Sequence, residues 1–156
     1  VADWRNNRVQ RFSHDGELLQ IIGPKITRAG VLDHPSDVAV DYHGDIYVCD
    51  RGNHRVLQFN PSGLFIESFI GDAVMTERGA DKLMANRDML RWRDNIVDLD
   101  REKRFYNPTS VTVDDKFRLY VVDTGRFRIQ IYRKTFRVLA SDEIDPVETY
   151  KDPHVN

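Results

Sequence analysis

The sequence predicts an all-β chain: a short row of blade-like, four-stranded antiparallel sheets interrupted by one α-helical insertion. Three observations carry this. Asp50-Arg-Gly-Asn-His-Arg55 returns as Asp123-Thr-Gly-Arg-Phe-Arg128, and a worn copy, Asp3-Trp-Arg-Asn-Asn-Arg8, opens the chain. Residues 34–59 align without gaps on 107–132 at a constant offset of 73. Short apolar runs rich in Val, Ile, Tyr and Phe alternate with Gly, Pro, Asn and Asp, the signature of brief strands and tight turns. Units of this kind cannot bury both faces alone and must stack on their neighbours.

The middle copy shows the plan. Residues 37–41 read as a first strand, and Tyr42-His-Gly44 as a turn. Residues 45–49 form a second strand, and residues 50–54 a tight loop in which Gly52 and Asn53 supply the turn chemistry. Residues 55–59 form a third strand, Asn60-Pro-Ser-Gly63 is a strong turn signal, and residues 64–70 form a fourth strand. The third copy repeats this over 110–114, 118–122, 128–132 and 137–140. The opening copy lies 47 residues before the middle one, so 26 residues are inserted between the second and third copies.

The insertion spans about 72–105. Met89, Trp92, Ile96 and Leu99 fall on one helical stripe, joined by Leu83 about one turn earlier, and no Pro or Gly interrupts 81–101. Its charges nearly balance, unlike the Lys- and Arg-rich face of a membrane-surface helix. The stripe, rimmed by Arg91 and Arg93, is a candidate partner-binding surface. Residues 142–156 carry acidic residues, Pro146 and Pro153 without periodicity, and are expected to form an extended or disordered tail after a repeat-built unit over 1–141.

A length of 156 residues suits one domain, and a net charge of −2 gives no global push toward nucleic acid or acidic lipid. No apolar run approaches the roughly 18 residues needed to cross a bilayer. A single cysteine, Cys49, leaves the compartment unreadable. The chain begins at Val1, inside a repeat, so it is expected to be a fragment or a processed chain.

The order Pro-x-x-Val-x-Val-Asp, then Ile/Leu-Tyr-Val-x-Asp, then Gly-Asn-His-Arg-Val resembles the NHL repeat. The resemblance covers residues 1 to about 71 and 107 to about 141. It implies a β-propeller, commonly six-bladed. About two and a half blades are present, so further chain or partner copies are expected to complete the ring. The metal-binding lyases of this repeat class carry a histidine just after the proline that opens the first strand; here Ser36 and Thr109 stand there.

Strand alternation places the loops after each second strand on one face. That face collects Arg5, Arg51, His54, Arg126 and Phe127, a basic and aromatic set suited to a protein partner or, more weakly, to RNA or another polyanion. The repeated pairs Asp3 and Arg8, Asp50 and Arg55, and Asp123 and Arg128 are expected to be architectural. Asp41 and Asp114 are expected to make turns rather than bind calcium. No Gly-rich phosphate loop, paired-Cys motif or His-Glu-x-x-His appears, so no catalytic residue, metal ligand or cofactor is assigned. The function expected is a non-enzymatic scaffold that binds a protein through its loop face and insertion. A metal-dependent lyase or hydrolase and a polyanion binder are the alternatives.

Overall fold

Three antiparallel sheets follow one another along the chain. The computed structural model describes residues 1–23, 31–74, 81–82, 84–88 and 99–135. The first sheet holds β1 (Ala2–Asp3), β2 (Arg8–Phe12) and β3 (Leu18–Ile22). The second holds β4 (Pro35–Val40), β5 (Ile46–Asp50), β6 (Arg55–Phe59) and β7 (Phe65–Phe69) in sequential order. The third holds β8 (Pro108–Val113), β9 (Arg118–Asp123) and β10 (Arg128–Arg133). Each of the three repeated loops is a single 3₁₀ turn: Trp4–Asn6, Arg51–Asn53 and Thr124–Arg126. A fourth strand over 137–140 and the tail over 142–156 lie outside the described residues.

Stacking explains why β5 is buried along its whole length. Alternate side chains point to opposite faces of a strand. Ile46 and Val48 enter a core with Val9, Ile22, Leu32, Leu57 and Phe59 between the first and second sheets. Tyr47 and Cys49 enter a second core with Val56, Phe105, Val111, Leu119 and Val121 between the second and third. A strand with apolar neighbours on both sides needs no polar face, and Ile-Tyr-Val-Cys reads accordingly. Burial pushes the Cys49 thiol up to about 12, leaving it an inert packing group.

The first strands of successive sheets are joined by Asp37. Its carboxylate accepts from the Ser110 hydroxyl at 2.6 Å and from the Val111 N–H at 3.0 Å. At the other end of the sheets, Lys134 donates to Asp41 at 2.6 Å and to Asp45 at 2.7 Å, locking the third sheet to the second. Asp41 and Asp114 are turn-makers. Asp41 accepts from the N–H groups of His43 and Asp45, and Asp114 from those of Lys116 and Arg118.

The ends of the insertion are tied together. Phe105 N–H donates to Ile70 O at 2.8 Å and Ala73 N–H to Lys103 O at 3.2 Å. Phe105, at the insertion's expected end, is a core residue just ahead of β8. Its described helical pieces are a turn closed by Ala85 N–H on Asp81 O and the short helix α1 (Leu99–Lys103). Leu83, Met89, Arg91, Trp92, Arg93 and Ile96 lie outside the described residues, and of the expected stripe only Leu99, which opens α1, is placed. Among the described residues, no helix is long and apolar enough to cross a membrane.

Candidate interaction face

Each repeated loop is built by the same clasp. The Asp that ends the second strand receives the Arg five residues on: Arg8 Nε on Asp3 at 2.8 Å, Arg55 on Asp50 at 2.7 Å, Arg128 on Asp123 at 2.8 Å. Asp50 and Asp123 are fully buried and use their second oxygen to accept the N–H of Asp33 and of Tyr106, each at 2.7 Å. The loop glycine completes the clasp from the other side: Gly52 N–H donates to Asp33 O, and Gly125 N–H to Tyr106 O, each at 2.8 Å. Each clasp therefore grips the segment that enters its sheet.

The arginines reach further along that entering segment. Arg55 donates to Val31 O at 3.2 Å, and Arg128 to Lys103 O at 2.9 Å and Arg104 O at 2.8 Å. Arg126 and Gln130 add donations to Arg101 O and Lys103 O. The exit of the insertion is thus held by cations at the C-terminal end of α1, where free carbonyls accumulate.

The glycines are required by this closeness. A Cβ on Gly52 would overlap the movable Asp33 carboxylate and come within 2.8 Å of the Asp33 carbonyl oxygen, whereas one on Gly125 would come closer still to the Tyr106 carbonyl oxygen. Gly125→Ala is expected to destabilise the chain by about 2 kcal/mol, since backbone must shift, and by more than Gly52→Ala. Denaturant unfolding of both variants measures this, and equal small losses would contradict the close approach.

The residue after each 3₁₀ turn is left-handed: Asn7 at φ 53°, His54 at 56° and Phe127 at 52°. Two of them link neighbouring sheets. Asn7 Oδ1 accepts the N–H of His34 at 2.8 Å, and His54 Nδ1 accepts that of Asn107 at 3.1 Å. Phe127 has no acceptor to offer, and its side chain is 96% exposed.

The loop-face candidates therefore divide. His54 is occupied by Asn107 and packs on Tyr106 with ring centroids 5.0 Å apart. Arg126 is occupied by Arg101 O, lies over the Tyr106 ring, and has its Nε enclosed without an acceptor. Arg51 is different: it is exposed, and its guanidinium makes no hydrogen bond or ion pair among the described residues. It lines a pocket of about 430 Å³ with Trp4, His34, Ser36 and Asn107. Trp4 and His34 have ring centroids 5.6 Å apart, and the Arg5 guanidinium lies 5.3 Å from the Trp4 centroid. Sequence reading missed His34, Ser36 and Asn107. The available signal was the alignment of His34 with Asn107 just before matched prolines, since Asn tolerates the left-handed backbone that both adopt. Among the described residues, no three His, Cys, Asp or Glu side chains converge as metal ligands.

Two acidic turns are electrostatically tuned. Burial works to raise Asp41, but the Lys134 ammonium and the backbone N–H donors outweigh it and hold the carboxyl below the ordinary range. At Asp114 the same opposition, won by Arg118 and Tyr120, brings the carboxyl to about 2. Neither group is poised for proton transfer near neutrality.

The NHL repeat family model matches residues 32–59 and 105–132. The chain is 29% identical over 141 residues to the protein brain tumor of Drosophila melanogaster, an alignment covering 89% of this chain and 11% of that protein. It thus spans about a tenth of that relative's length. Among solved structures it is similar to a streptogramin B lyase, at TM-score 0.44 and 12% identity over 86% of this chain and 36% of that one. It is also similar to an auxiliary nutrient binding protein from Bacteroides thetaiotaomicron, at TM-score 0.46 and 16% identity over 81% and 32%. The residues of the second and third clasps, from Asp33 and Tyr106 through the buried Asp and the glycine to the Arg, fall inside the two matched stretches, and the chain carries two NHL repeats, at residues 32–59 and 105–132.

Proposed function

We propose that the stacked sheets are a rigid, non-enzymatic platform and that the loop face binds a protein partner at the Trp4, His34 and Arg51 pocket. The observation that carries this reading is the contrast within the face. The clasp arginines, His54 and Arg126 are consumed by internal bonds, whereas Arg51 and Trp4 are presented to solvent beside a pocket. An exposed Trp beside a cation is the composition of an interface anchor, because Trp supplies apolar area at low entropy cost and Arg pairs with carboxylates. Such a site suits a partner segment carrying a carboxylate next to an apolar side chain. The insertion returns beside the third loop of the same face and is proposed as a second contact.

A phage-displayed peptide library selected on this chain tests the reading. Peptides enriched on the wild type are expected to lose about tenfold or more in affinity on Trp4→Ala and on Arg51→Ala. Failure of both substitutions to weaken any enriched peptide would overturn it. The pairing of aromatic rings with cations also fits a nucleic-acid strand. That reading requires binding to an oligonucleotide that weakens steeply with salt and with Arg51→Ala.

A further inference from the structure

The imidazole of His34 is not needed to build the fold. His34 and Asn107 stand at the same position of two copies, each ahead of a proline and each with left-handed backbone, at φ 48° and 53°. Both use the backbone N–H in the same way, donating to the side chain that the preceding loop offers: Asn7 for His34 and His54 for Asn107. An asparagine therefore suffices for the architecture, and the imidazole is an addition. Its neighbour is also particular to this copy, since Asp33 stands where the third copy has Tyr106.

The ring has one nitrogen engaged and the other open. His34 Nδ1 lies 2.5 Å from Asp33 Oδ1. An ionised carboxylate only accepts, so Nδ1 carries the proton, and Nε2 holds the lone pair of the neutral ring. Among the described residues, Nε2 makes no hydrogen bond. The ring lines the pocket beside Arg51 and is half exposed. Three charged groups surround it. Asp33 lies on its own segment and Arg51 on the loop after β5. Arg5, on the loop after β1, lies over the Trp4 ring that packs on His34. Asp3 and Asp50 are engaged by Arg8 and Arg55, and the bordering Asn7 and Asn107 are neutral.

A carboxylate entering this pocket meets His34 in one of two forms. The neutral ring offers only a lone pair at Nε2 and opposes it, whereas the imidazolium offers an N–H and makes a charge-assisted hydrogen bond beside Arg51. We infer that His34 is the proton-linked recognition group of the pocket: it receives the partner's carboxylate as an imidazolium, and capture of the partner takes up one proton from solvent at Nε2. The inference rests on the pocket reading above and adds to it a dependence on pH. Imidazoles change charge between about pH 5 and 8, whereas side-chain carboxylates stay ionised above about pH 5. Binding and protonation favour one another reciprocally, so affinity rises as pH falls through that range.

An acidic, histidine-free peptide from the selection described above tests this on the full 156-residue chain, with the same peptide carrying amides in place of its carboxylates as the control. The acidic peptide is expected to bind about tenfold more tightly near pH 6 than near pH 8. Its heat of binding is expected to vary with the ionisation enthalpy of the buffer, as uptake of a proton requires. His34→Asn, which repeats the residue of the third copy, is expected to fold, checked by far-UV circular dichroism, and to bind no tighter at the lower pH. The amide peptide is expected to show no gain either. A flat wild-type profile, with Trp4→Ala and Arg51→Ala still weakening the peptide, would overturn this inference and leave the pocket in place. A gain that survives in His34→Asn would overturn it too, by placing the proton on another group, and so would a selection that enriches no acidic peptide. Failure of the pocket reading shows separately, as peptides that neither Trp4→Ala nor Arg51→Ala weakens, and this inference falls with it.

Discussion

Asp50→Ala will destabilise the chain by about 3 kcal/mol or more, the range seen when one partner of a buried pair is removed. The carboxylate is fully buried and accepts from the Asp33 N–H, the Asn53 amide and the Arg55 Nε, while the Gly52 N–H of the same turn fixes the entering segment through Asp33 O. Truncation leaves the Arg55 guanidinium, itself largely covered, facing an empty site. Asp123→Ala acts on the same arrangement and will release the exit of the insertion as well, through Arg128. Asp3→Ala will have a smaller effect, since that carboxylate is partly exposed and grips no entering segment among the described residues. Asp50→Asn keeps an acceptor for the Asp33 N–H and will fall between wild type and Asp50→Ala. Chemical denaturation of the four variants measures the order, and an Asp3→Ala loss equal to that of Asp50→Ala would refute the clasp.

Lys134→Met will cost about 3 kcal/mol near neutral pH, because it strands two carboxylates at the contact between the second and third sheets. The pH dependence follows from the directions of the shifts. Asp41 lies below its ordinary 3.8 in the folded chain, so its contribution is present above that value and is lost as pH falls through the depressed one. Lys134 lies above its ordinary 10.5: burial works to lower it, and Asp41 and Asp45 outweigh that. Its contribution is present below 10.5 and is lost as pH rises through the raised value. The deficit of Lys134→Met is therefore expected to be largest between these limits and to shrink as the solution is acidified. Asp114, at about 2, keeps its own acid-side dependence in the variant, because Arg118 is untouched. Thermal melts of both proteins across the acid range decide the matter; a deficit that does not change with pH would show that the latch acts through packing alone.

Most of the strand plan was legible because it rests on local chemistry. Gly63 and Asn60 close the turn before β7, with the Asn60 side chain accepting from Ser62 and Leu64, and such turns announce themselves in the chain. The insertion was legible only as an interruption of the repeat. Phe105, at its expected end, is a core residue, and nothing in a single phenylalanine announces that role. The loop-face arginines were equally ambiguous. Arg51, Arg55, Arg126 and Arg128 differ in role by which carbonyls lie within reach, and those carbonyls belong to segments about 25 residues away.

By itself the sequence determined the period of the sheets, the positions of their turns and the pairing of each Asp with the Arg that follows it, since all three are set by contacts within a few residues. Only the tertiary structure decided which apolar faces are covered, which cations remain available on the loop face, and that Lys134 joins two sheets. Those outcomes depend on the meeting of surfaces far apart along the chain, and burial, unlike turn chemistry, is a property that no residue possesses until its neighbour arrives.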